Sequence, residues 1–354
     1  MKIVKNRFVK SKYPYFIADI AANHDGDLSR AKELIWLAKE SGADCAKFQH
    51  FLADKIVNDR EFNKLNILTH QSDWKESVSR IYEKYHFKRS WTHEISEECK
   101  KARIDFSTTP YDIDAIEETK ELVSFFKIGS GDISWIEHIK ACADTSLPIA
   151  IATGASSMQD VERAMKLLIK KGNQVCLMQC NTNYTIDKDK HKFVNLNVLK
   201  IYKEKYPNSI LGLSDHTVNE ISVLGAIALG AQIFEKHFTD DNEREGPDHK
   251  FAVNPVNWKK MINNARELID CMGDGDKKVE ENEENAFVVQ RRSCTAARNI
   301  PKEKIIEKQD IVMLRLCPAG AVHPFEENNI IGLKALKEIK KGDSILWESI
   351  EKIL

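Results

Sequence analysis

The sequence has no long apolar run, no excess of charge of either sign and no leader-like N-terminus. A membrane-spanning helix needs about 20 consecutive apolar residues, and no stretch approaches that length. The 53 basic and 54 acidic residues nearly cancel, so no net field favours nucleic acid or an anionic membrane as a partner. Residues 1–16 are basic but lack the apolar block and cleavage site of a signal peptide. We therefore expect a cytoplasmic protein that binds neither nucleic acid nor membrane.

The chain has eight cysteines, but their spacing is not that of a disulfide framework. The closest two, Cys176 and Cys180, have no second Cys or His pair at the spacing of a zinc site. Several cysteines lie in apolar runs, where a free thiol behaves as a small hydrophobic group. They indicate a reducing compartment, with zinc binding as the weaker alternative. The cysteines are Cys45, Cys99, Cys142, Cys176, Cys180, Cys271, Cys294 and Cys317.

Short β-rich runs alternate with amphipathic segments from residue 15 to residue 272. A closed parallel (β/α)₈ barrel, the TIM barrel, has eight strands that alternate with helices, so this pattern predicts that fold. An open, doubly wound sheet is the alternative fold, but no G-x-G-x-x-G turn follows an early strand. The predicted strands lie within residues 15–21, 44–49, 104–109, 125–130, 148–153, 175–180, 210–214 and 232–238.

Three segments depart from this alternation. Residues 52–100 are too many for one crossover helix, and we interpret them as a loop elaborated at the C-terminal end of the second strand. Residues 273–288 are acidic and poor in large apolar side chains, which predicts a linker. Residues 289–354 predict a small β-rich domain, in which 297–311 resembles 336–350. The barrel domain is accordingly assigned to residues 1–272.

Polar residues end nearly every predicted strand. Because a barrel interior is otherwise packed with apolar side chains, we expect these residues to meet at one rim as an active site. They are Asp19, Lys47, Gln49, Thr108, Thr109, Lys127, Ser130, Thr153, Ser214, Asp215, His216, Glu235, Lys236 and His237.

Two of these residues, His216 and His237, predict a metal site. They end the last two predicted strands, which would be neighbours about 4.8 Å apart, so both imidazoles could bind one ion. The last strand of a closed barrel also adjoins the first, which brings Asp19 close to that ion. Imidazole, carboxylate and water ligands suit Mn²⁺, Mg²⁺, Co²⁺ or Fe²⁺.

Lys47 and Lys127 are expected to point into the barrel, and two interpretations of them compete. Either could be a Schiff-base nucleophile, as in barrel aldolases. Alternatively, both could hold the phosphate and carboxylate oxygens of a substrate as point charges. The small residues 130–131 and 153–154 offer backbone N–H groups that suit an anion, which favours the second interpretation.

Several runs also resemble a known family. IADIAANHDGD, AKFQ, KIGSGD, ATGASS, GLSDHT and FEKHFTDDNEREGPDH closely resemble the N-acetylneuraminate (sialic acid) synthase family, which includes the legionaminic and pseudaminic acid synthases. The similarity runs through the whole chain, and the tail from RRSCTAARNIPKEKII to LRLCPAGAVHP resembles the antifreeze-like (SAF) domain of these enzymes. The resemblance implies that phosphoenolpyruvate, an N-acetylated hexosamine aldehyde and water give a nine-carbon 2-keto sugar acid and phosphate.

The resemblance further implies roles for individual residues. His216 and His237 match the metal ligands, with Mn²⁺ as the first choice and Mg²⁺ or Co²⁺ as alternatives. Asp19 or Glu235 would orient or deprotonate the metal-bound water. Arg315 matches an arginine that the antifreeze-like domain offers, across a swapped homodimer, to the N-acetyl group of the other subunit's substrate. The implied substrate-binding residues are Lys47, Gln49, Thr109, Lys127, Ser130, Asn183, Tyr184, Ser214 and Asp248.

The sequence departs from the family pattern around the substrates. Asp19 stands where the family usually has glutamate, and Ala152 stands where it often has a phosphoenolpyruvate-binding serine. In QCNTNY (179–184), either Thr182 or Asn183 takes the position of a sugar-contacting asparagine. The sugar therefore stays open between N-acetylmannosamine and a 2,4-diacetamido-2,4,6-trideoxyhexose. A Schiff-base pyruvate aldolase and an inactive carbohydrate-binding relative are the alternative functions.

Overall fold

The computed structural model describes residues 1–3, 7–62, 64, 76–184 and 188–351, with the backbone alone for 188–190. These residues divide into two compact units, Met1–Gly273 and Asp274–Leu354. The second unit begins inside the acidic segment that the sequence predicts to be a linker.

The first unit contains a closed barrel of eight parallel strands, which confirms the predicted fold. The barrel order is β10-β3-β4-β5-β6-β7-β8-β9, and an antiparallel pair, β1 and β2, precedes it. The strands are β1 (Lys2–Ile3), β2 (Phe8–Val9), β3 (Tyr15–Asp19), β4 (Cys45–His50), β5 (Asp105–Pro110), β6 (Phe126–Ile128), β7 (Ile149–Ala152), β8 (Val175–Cys180), β9 (Ile210–Asp215) and β10 (Ile233–His237).

Helices follow the barrel strands, and their ends carry the expected capping residues. Asp27 caps the first helix by accepting from the N–H of Arg30, and Gly172 ends the eighth with a φ of 78° that suits glycine. The helices of this unit are α1 (Leu28–Glu40), α2 (Ala53–Ile56), α3 (Asp59–Phe62), α4 (Val78–Tyr85), α5 (Thr92–Ala102), α6 (Ile113–Thr119), α7 (Ile136–Asp144), α8 (Met158–Lys171), α9 (Val198–Lys205), α10 (Ile221–Ala228) and α11 (Pro255–Met272). Within the described ranges, none of the helices has the length and apolarity to cross a membrane.

Two apolar clusters fix the barrel. The larger one packs the helices against the outer faces of the strands and includes Trp258 of α11. The smaller one lies at the N-terminal end of the barrel, where the ring of Phe8 packs 5.3 Å from that of Phe125 and 6.1 Å from that of Tyr15. Because aromatic side chains fill the N-terminal end of the barrel, a polar site can form only at its C-terminal end.

The predicted elaborated loop at 52–100 contains α2, α3 and α4 before α5, and part of it lies outside the described residues. Phe51 immediately precedes this segment and packs its ring 5.3 Å from that of Tyr82 in α4 and 6.0 Å from that of Tyr111. Since Tyr111 directly follows β5, the insertion lies against the C-terminal end of the barrel.

The second unit is small and contains α12 (Glu284–Gln290), β11 (Arg292–Ala296), β12 (Ile311–Arg315) and α13 (Glu327–Ile330). β11 and β12 pair antiparallel. The two similar segments, 297–311 and 336–350, meet at equivalent positions. Ile300 and Ile339 exchange backbone hydrogen bonds of 2.8 and 2.9 Å, and both side chains are buried. The two segments that resemble each other in sequence therefore also pair with each other in the structure.

Candidate active site

Consecutive polar residues at the strand ends face opposite sides of the barrel wall, because side chains alternate along a strand. In the register of β9 and β10, Ser214 lies opposite Glu235, and Asp215 lies opposite Lys236. The first pair is inside the barrel, whereas Asp215 and Lys236 form a buried ion pair on the helix side.

Only some of the strand-end residues that the sequence predicts at the rim therefore face the barrel interior. Thr108 contacts the imidazole of His50 at 2.6 Å, and Thr153 contacts the hydroxyl of Tyr202 at 2.9 Å. Both partners are outside the barrel interior. Thr108, Thr153, Asp215 and Lys236 therefore do not reach the rim, contrary to the sequence-based expectation.

Four charged side chains meet inside the barrel. The Nζ atom of Lys47 lies 2.7 Å from the Oδ2 atom of Asp19 and 3.8 Å from the Oε2 atom of Glu235. The Nζ atom of Lys127 lies 3.1 Å from the Oε1 atom of Glu235. All four are almost fully buried. Thr109 accepts a hydrogen bond of 3.1 Å from Lys47.

Mutual attraction governs the protonation of this cluster. Burial opposes the charge of Lys47, but the carboxylates of Asp19 and Glu235 outweigh it and hold the pKa of Lys47 above its usual range. Burial likewise opposes the charge of Glu235, yet the ammonium groups of Lys127 and Lys47 lower its pKa to about 2. Burial raises the pKa of Asp19 despite the nearby ammonium of Lys47. Of the two carboxyl groups in this cluster, Asp19 therefore has the higher affinity for a proton.

The two histidines lie next to this cluster. The ring centroids of His216 and His237 are 5.4 Å apart, and the ring of Tyr184 lies 4.3 Å from that of His216. The Nε2 atom of His237 lies 3.8 Å from the Oδ2 atom of Asp19, and its Nδ1 atom lies 4.0 Å from the Oδ2 atom of Asp248. The predicted juxtaposition of two imidazoles and a carboxylate is thus present.

This donor set fits a divalent ion. Burial, followed by repulsion from His237, lowers the pKa of His216 to about 3, so its imidazole is neutral. The Nδ1 atom of His216 lies 2.8 Å from the carbonyl oxygen of Asn181, which places the proton on Nδ1 and a lone pair on Nε2. No cluster of three or more His, Cys, Asp or Glu with metal-site geometry occurs among the described residues. The chain would thus supply two imidazole ligands, and water or substrate would supply the others.

A cavity of about 120 Å³ opens beside His237. Four predicted site residues line it, namely Gln49, Tyr184, His237 and Asp248. Burial raises the pKa of Asp248 to about 6. The sequence analysis did not predict the other residues that line this cavity. For Tyr111, the available signal was its position immediately after a barrel strand. The other lining residues are Ala22, Phe51, Ile56, Ile81, Tyr82, Tyr85, Tyr111 and Pro247.

Two residues of the predicted anion subsite contact each other. The Oγ atom of Ser130 accepts a hydrogen bond of 2.9 Å from the N–H of Gly154. A Cβ atom at position 154 would lie 2.5 Å from the Cγ2 atom of Thr182 and 2.9 Å from that same Oγ, so only glycine fits there. Ser214 donates a hydrogen bond of 3.2 Å to Glu235 and joins the charged cluster.

Two further predicted residues are exposed, and one of them, Asn183, lines a second cavity with Ser214 and His216. Asn183 is exposed, and its N–H donates to the Oδ1 atom of Asn181 at 3.2 Å. Arg315 is exposed at the end of β12 in the second unit, where it lies opposite Arg292. Its role towards a second subunit stays a prediction.

Comparisons with known proteins identify the family of this chain. Residues 34–277 match the model of the NeuB family. The chain is 33% identical to the N,N'-diacetyllegionaminic acid synthase of Legionella pneumophila, over 95% of this chain and 94% of the relative. It is 32% identical to the synthase of the same name from Campylobacter jejuni, over 94% and 99%.

The fold is similar to that of a solved relative as well. The crystal structure of the N-acetylneuraminic acid (sialic acid) synthetase of Leptospira borgpetersenii matches with a TM-score of 0.69 and 26% identity, over 80% of this chain and 92% of that one. The family match spans most of the barrel, and the two legionaminic acid synthases align over nearly the whole chain. The chain therefore belongs to the NeuB family and is an enzyme of the general kind that synthesises sialic-acid-type sugar acids.

Proposed function

We propose that this enzyme condenses phosphoenolpyruvate with an N-acetylmannosamine-type aldehyde and water, giving a nine-carbon 2-keto sugar acid and phosphate. The observation that carries the proposal is the arrangement of the barrel interior. Two buried lysines and two buried carboxylates lie beside two histidines, at the edge of a cavity. Each part matches a separate requirement of the reaction.

The lysines suit phosphoenolpyruvate. Lys47 and Lys127 are held inside the barrel by carboxylates, so their charges are already in place for the phosphate and carboxylate groups of this substrate. Ser130 and Ser214 add hydroxyl groups nearby. Binding would then be largely electrostatic, with little movement of the protein.

The cavity suits the aldehyde. Asp248, Gln49 and Tyr184 offer polar groups to an N-acetylated sugar, and His237 borders the same space. A divalent ion on His216 and His237, Mn²⁺ by preference, would supply Lewis-acid polarisation of the aldehyde carbonyl. The relatives named as diacetyllegionaminic acid synthases favour a 2,4-diacetamido-2,4,6-trideoxyhexose. The apolar side chains of Ile56 and Ile81 suit the methyl group of such a sugar.

The bond changes balance with these groups. The π electrons of phosphoenolpyruvate form the bond from its carbon 3 to the aldehyde carbon, the aldehyde oxygen takes a proton to become a hydroxyl group, and carbon 2 becomes positive. Water adds at carbon 2 and loses its first proton. The hydroxyl group left on carbon 2 then loses its proton as the bond from carbon 2 to the phosphate oxygen breaks, which gives the ketone and phosphate. Asp19, with its raised pKa, takes the first proton from this water, while Glu235 pairs with both lysines.

The ion pairs argue against the aldolase alternative. A Schiff-base lysine must be neutral to attack a carbonyl. Lys47 and Lys127 both contact carboxylates, and the pKa of Lys47 is raised. An inactive carbohydrate-binding protein is also disfavoured, because it would have no need of this buried charge cluster.

The direct test is phosphate release from phosphoenolpyruvate in the presence of a panel of aldehydes. N-acetylmannosamine and 2,4-diacetamido-2,4,6-trideoxyhexoses should be compared, before and after chelation and with Mn²⁺, Mg²⁺ or Co²⁺ restored. Sugar-dependent release that is lost with chelator and restored by an ion is expected. Borohydride trapping of pyruvate on a lysine, without sugar-dependent release, would instead establish an aldolase.

A further inference from the structure

A buried ion pair lies directly behind the two histidines, on the helix side of the barrel wall. The Nζ atom of Lys236 lies 2.5 Å from the Oδ2 atom of Asp215, and each side chain is 2% exposed. Strand register sets the two residues opposite each other. Asp215 immediately precedes His216, and Lys236 immediately precedes His237. The pair therefore joins β9 and β10 at the points where both imidazoles leave the backbone.

The same two side chains hold the turn that follows β9. Asp215 accepts hydrogen bonds from the N–H of Thr217 at 3.0 Å and from the hydroxyl of Ser222 at 2.5 Å. The ammonium of Lys236 donates to the backbone carbonyls of Thr217 and, at 3.4 Å, of Asn219. Residues 215–219 thus wrap around one buried ammonium group.

Stability alone is a weak reason for such a pair. Taking two charges out of water is costly, and well-packed apolar residues of similar volume often stabilise a protein as well or better. The pair also lies on the opposite side of the wall from the cluster of Lys47 and Glu235, so it contributes no group to substrate binding. What it fixes is the position of one strand end relative to the other.

We propose that Asp215 and Lys236 are positioning residues, and that their ion pair sets the spacing of His216 and His237. Without the ion pair, the turn that carries His216 can shift relative to β10, and the two imidazoles no longer meet at one ion. Groups that orient metal-binding histidines in this way typically change metal affinity or activity about 10- to 100-fold when they are altered. The inference rests on the proposed function, since it takes both histidines as ligands.

The test uses the full-length double variant Asp215→Asn/Lys236→Met. It removes both charges, keeps the side-chain volumes and leaves no buried charge without its counter-ion. Mn²⁺ affinity of the chelator-treated protein is measured by electron paramagnetic resonance, and the thermal midpoint by calorimetry. We expect Mn²⁺ binding and kcat to fall at least about tenfold. The KM for phosphoenolpyruvate should stay within about threefold and the thermal midpoint within about 5 °C.

A matched control is the pair of Arg89 and Asp112, which is also largely buried but lies far along the chain from either histidine. Arg89→Met/Asp112→Asn should lower the thermal midpoint and leave Mn²⁺ affinity unchanged. If the first double variant does not fold, Asp215→Glu takes its place, because it keeps both charges paired but lengthens the link between the strands, with at least about threefold weaker Mn²⁺ binding expected.

The outcomes separate this inference from the proposed function. A wild-type protein without sugar-dependent phosphate release would contradict the proposed function. A wild type that binds no Mn²⁺, or variants that bind it as tightly as wild type, would overturn the role of Asp215 and Lys236. Equal loss of Mn²⁺ affinity in the Arg89 control would overturn it too, because the effect would then be a general loss of stability.

Discussion

Lys127 and Glu235 form an ion pair across the full width of the barrel. Their strands, β6 and β10, lie four positions apart in the closed ring of eight, yet the Nζ and Oε1 atoms approach to 3.1 Å. Lys47 approaches the other carboxylate oxygen of Glu235 from β4 at 3.8 Å. A single carboxylate thus contacts two lysines in the barrel interior, and the phosphate of the proposed substrate would bind beside it.

Lys127→Met should raise the KM for phosphoenolpyruvate at least about tenfold, because one charge-assisted contact to the substrate is lost. The KM for the sugar should change much less. Initial rates with each substrate varied in turn measure the difference. Lys166→Met, which alters an exposed lysine of α8, is the matched control and should match wild type. A similar rise in both KM values would argue against a phosphoenolpyruvate site at Lys127.

Asp19→Asn should lower kcat by roughly 10²- to 10⁴-fold, since an amide cannot take the proton from water. The amide oxygen of this variant could still accept the 3.1 Å hydrogen bond that the N–H of Ala21 donates to Asp19, so the fold should persist. Asp19→Glu restores a carboxylate one methylene longer and should recover part of the lost kcat. Rapid-quench kinetics and thermal denaturation distinguish these effects. An active Asp19→Asn variant would place proton transfer on another group.

His237→Ala should abolish ion-dependent turnover and weaken Mn²⁺ binding strongly, because one of two imidazole ligands is lost. His93→Ala, which removes an exposed imidazole on α5, is the control for any general effect of histidine loss. Metal titration followed by electron paramagnetic resonance gives the affinity directly. Near-normal turnover in His237→Ala would refute the metal assignment.

Arg315→Ala should raise the KM for the sugar about tenfold and leave that for phosphoenolpyruvate nearly unchanged, if the arginine serves an N-acetyl group. Arg292 offers a close control, since it is the register partner of Arg315 in the β11–β12 pair. Arg292→Ala should affect neither KM. Sedimentation velocity should accompany the kinetics, because the predicted role requires a homodimer. Equal changes in both KM values would remove the reason for assigning Arg315 to the sugar.

The stability of the barrel should depend on the protonation of Asp44, which precedes β4. Burial raises the pKa of Asp44 from 3.8 to about 6, although its Oδ2 atom accepts a hydrogen bond from the N–H of Phe16. Between these pH values the folded protein binds the proton more tightly than the unfolded chain does. The contribution of Asp44 to stability is therefore complete below pH 4 and falls as the pH rises to 6.

Asp44→Asn should remove this dependence. Relative to wild type, the variant should gain up to about 3 kcal/mol in unfolding free energy between pH 4 and pH 7, since each pKa unit corresponds to about 1.36 kcal/mol. Urea denaturation at several pH values measures the difference. A constant difference between the two proteins across this range would show that Asp44 has an ordinary pKa.

The sequence predicts the barrel and the ends of its strands well, for a physical reason. Parallel strands bring all their C-terminal ends to one side, so the polar residues that follow each apolar run must be near one another. Asp19, Lys47 and His237 could therefore be placed together from their order alone. The eight predicted strands all overlap observed ones, and only their ends differ by a few residues.

Three kinds of information were beyond that reasoning. The inward or outward direction of neighbouring residues such as Thr108 and Thr109 depends on register, which composition does not specify. The contact of Lys127 with Glu235 depends on how the ring of strands closes. The cavity walls at Ile81 and Tyr82 come from an insertion with no barrel periodicity to indicate its direction.

The reciprocal hydrogen bonds between Ile300 and Ile339 bear on how the chain folds during synthesis. The barrel has all its strands once His237 has been made, and its ring of neighbours can then close. In the second unit, by contrast, residues 297–311 meet their equivalents only when 336–350 have been made. Ile300 cannot form its contact with Ile339 until Ile339 has been synthesised. Ribosome-bound chains that stop short of residue 339 should therefore present an unfinished second unit, and protease should cleave there first.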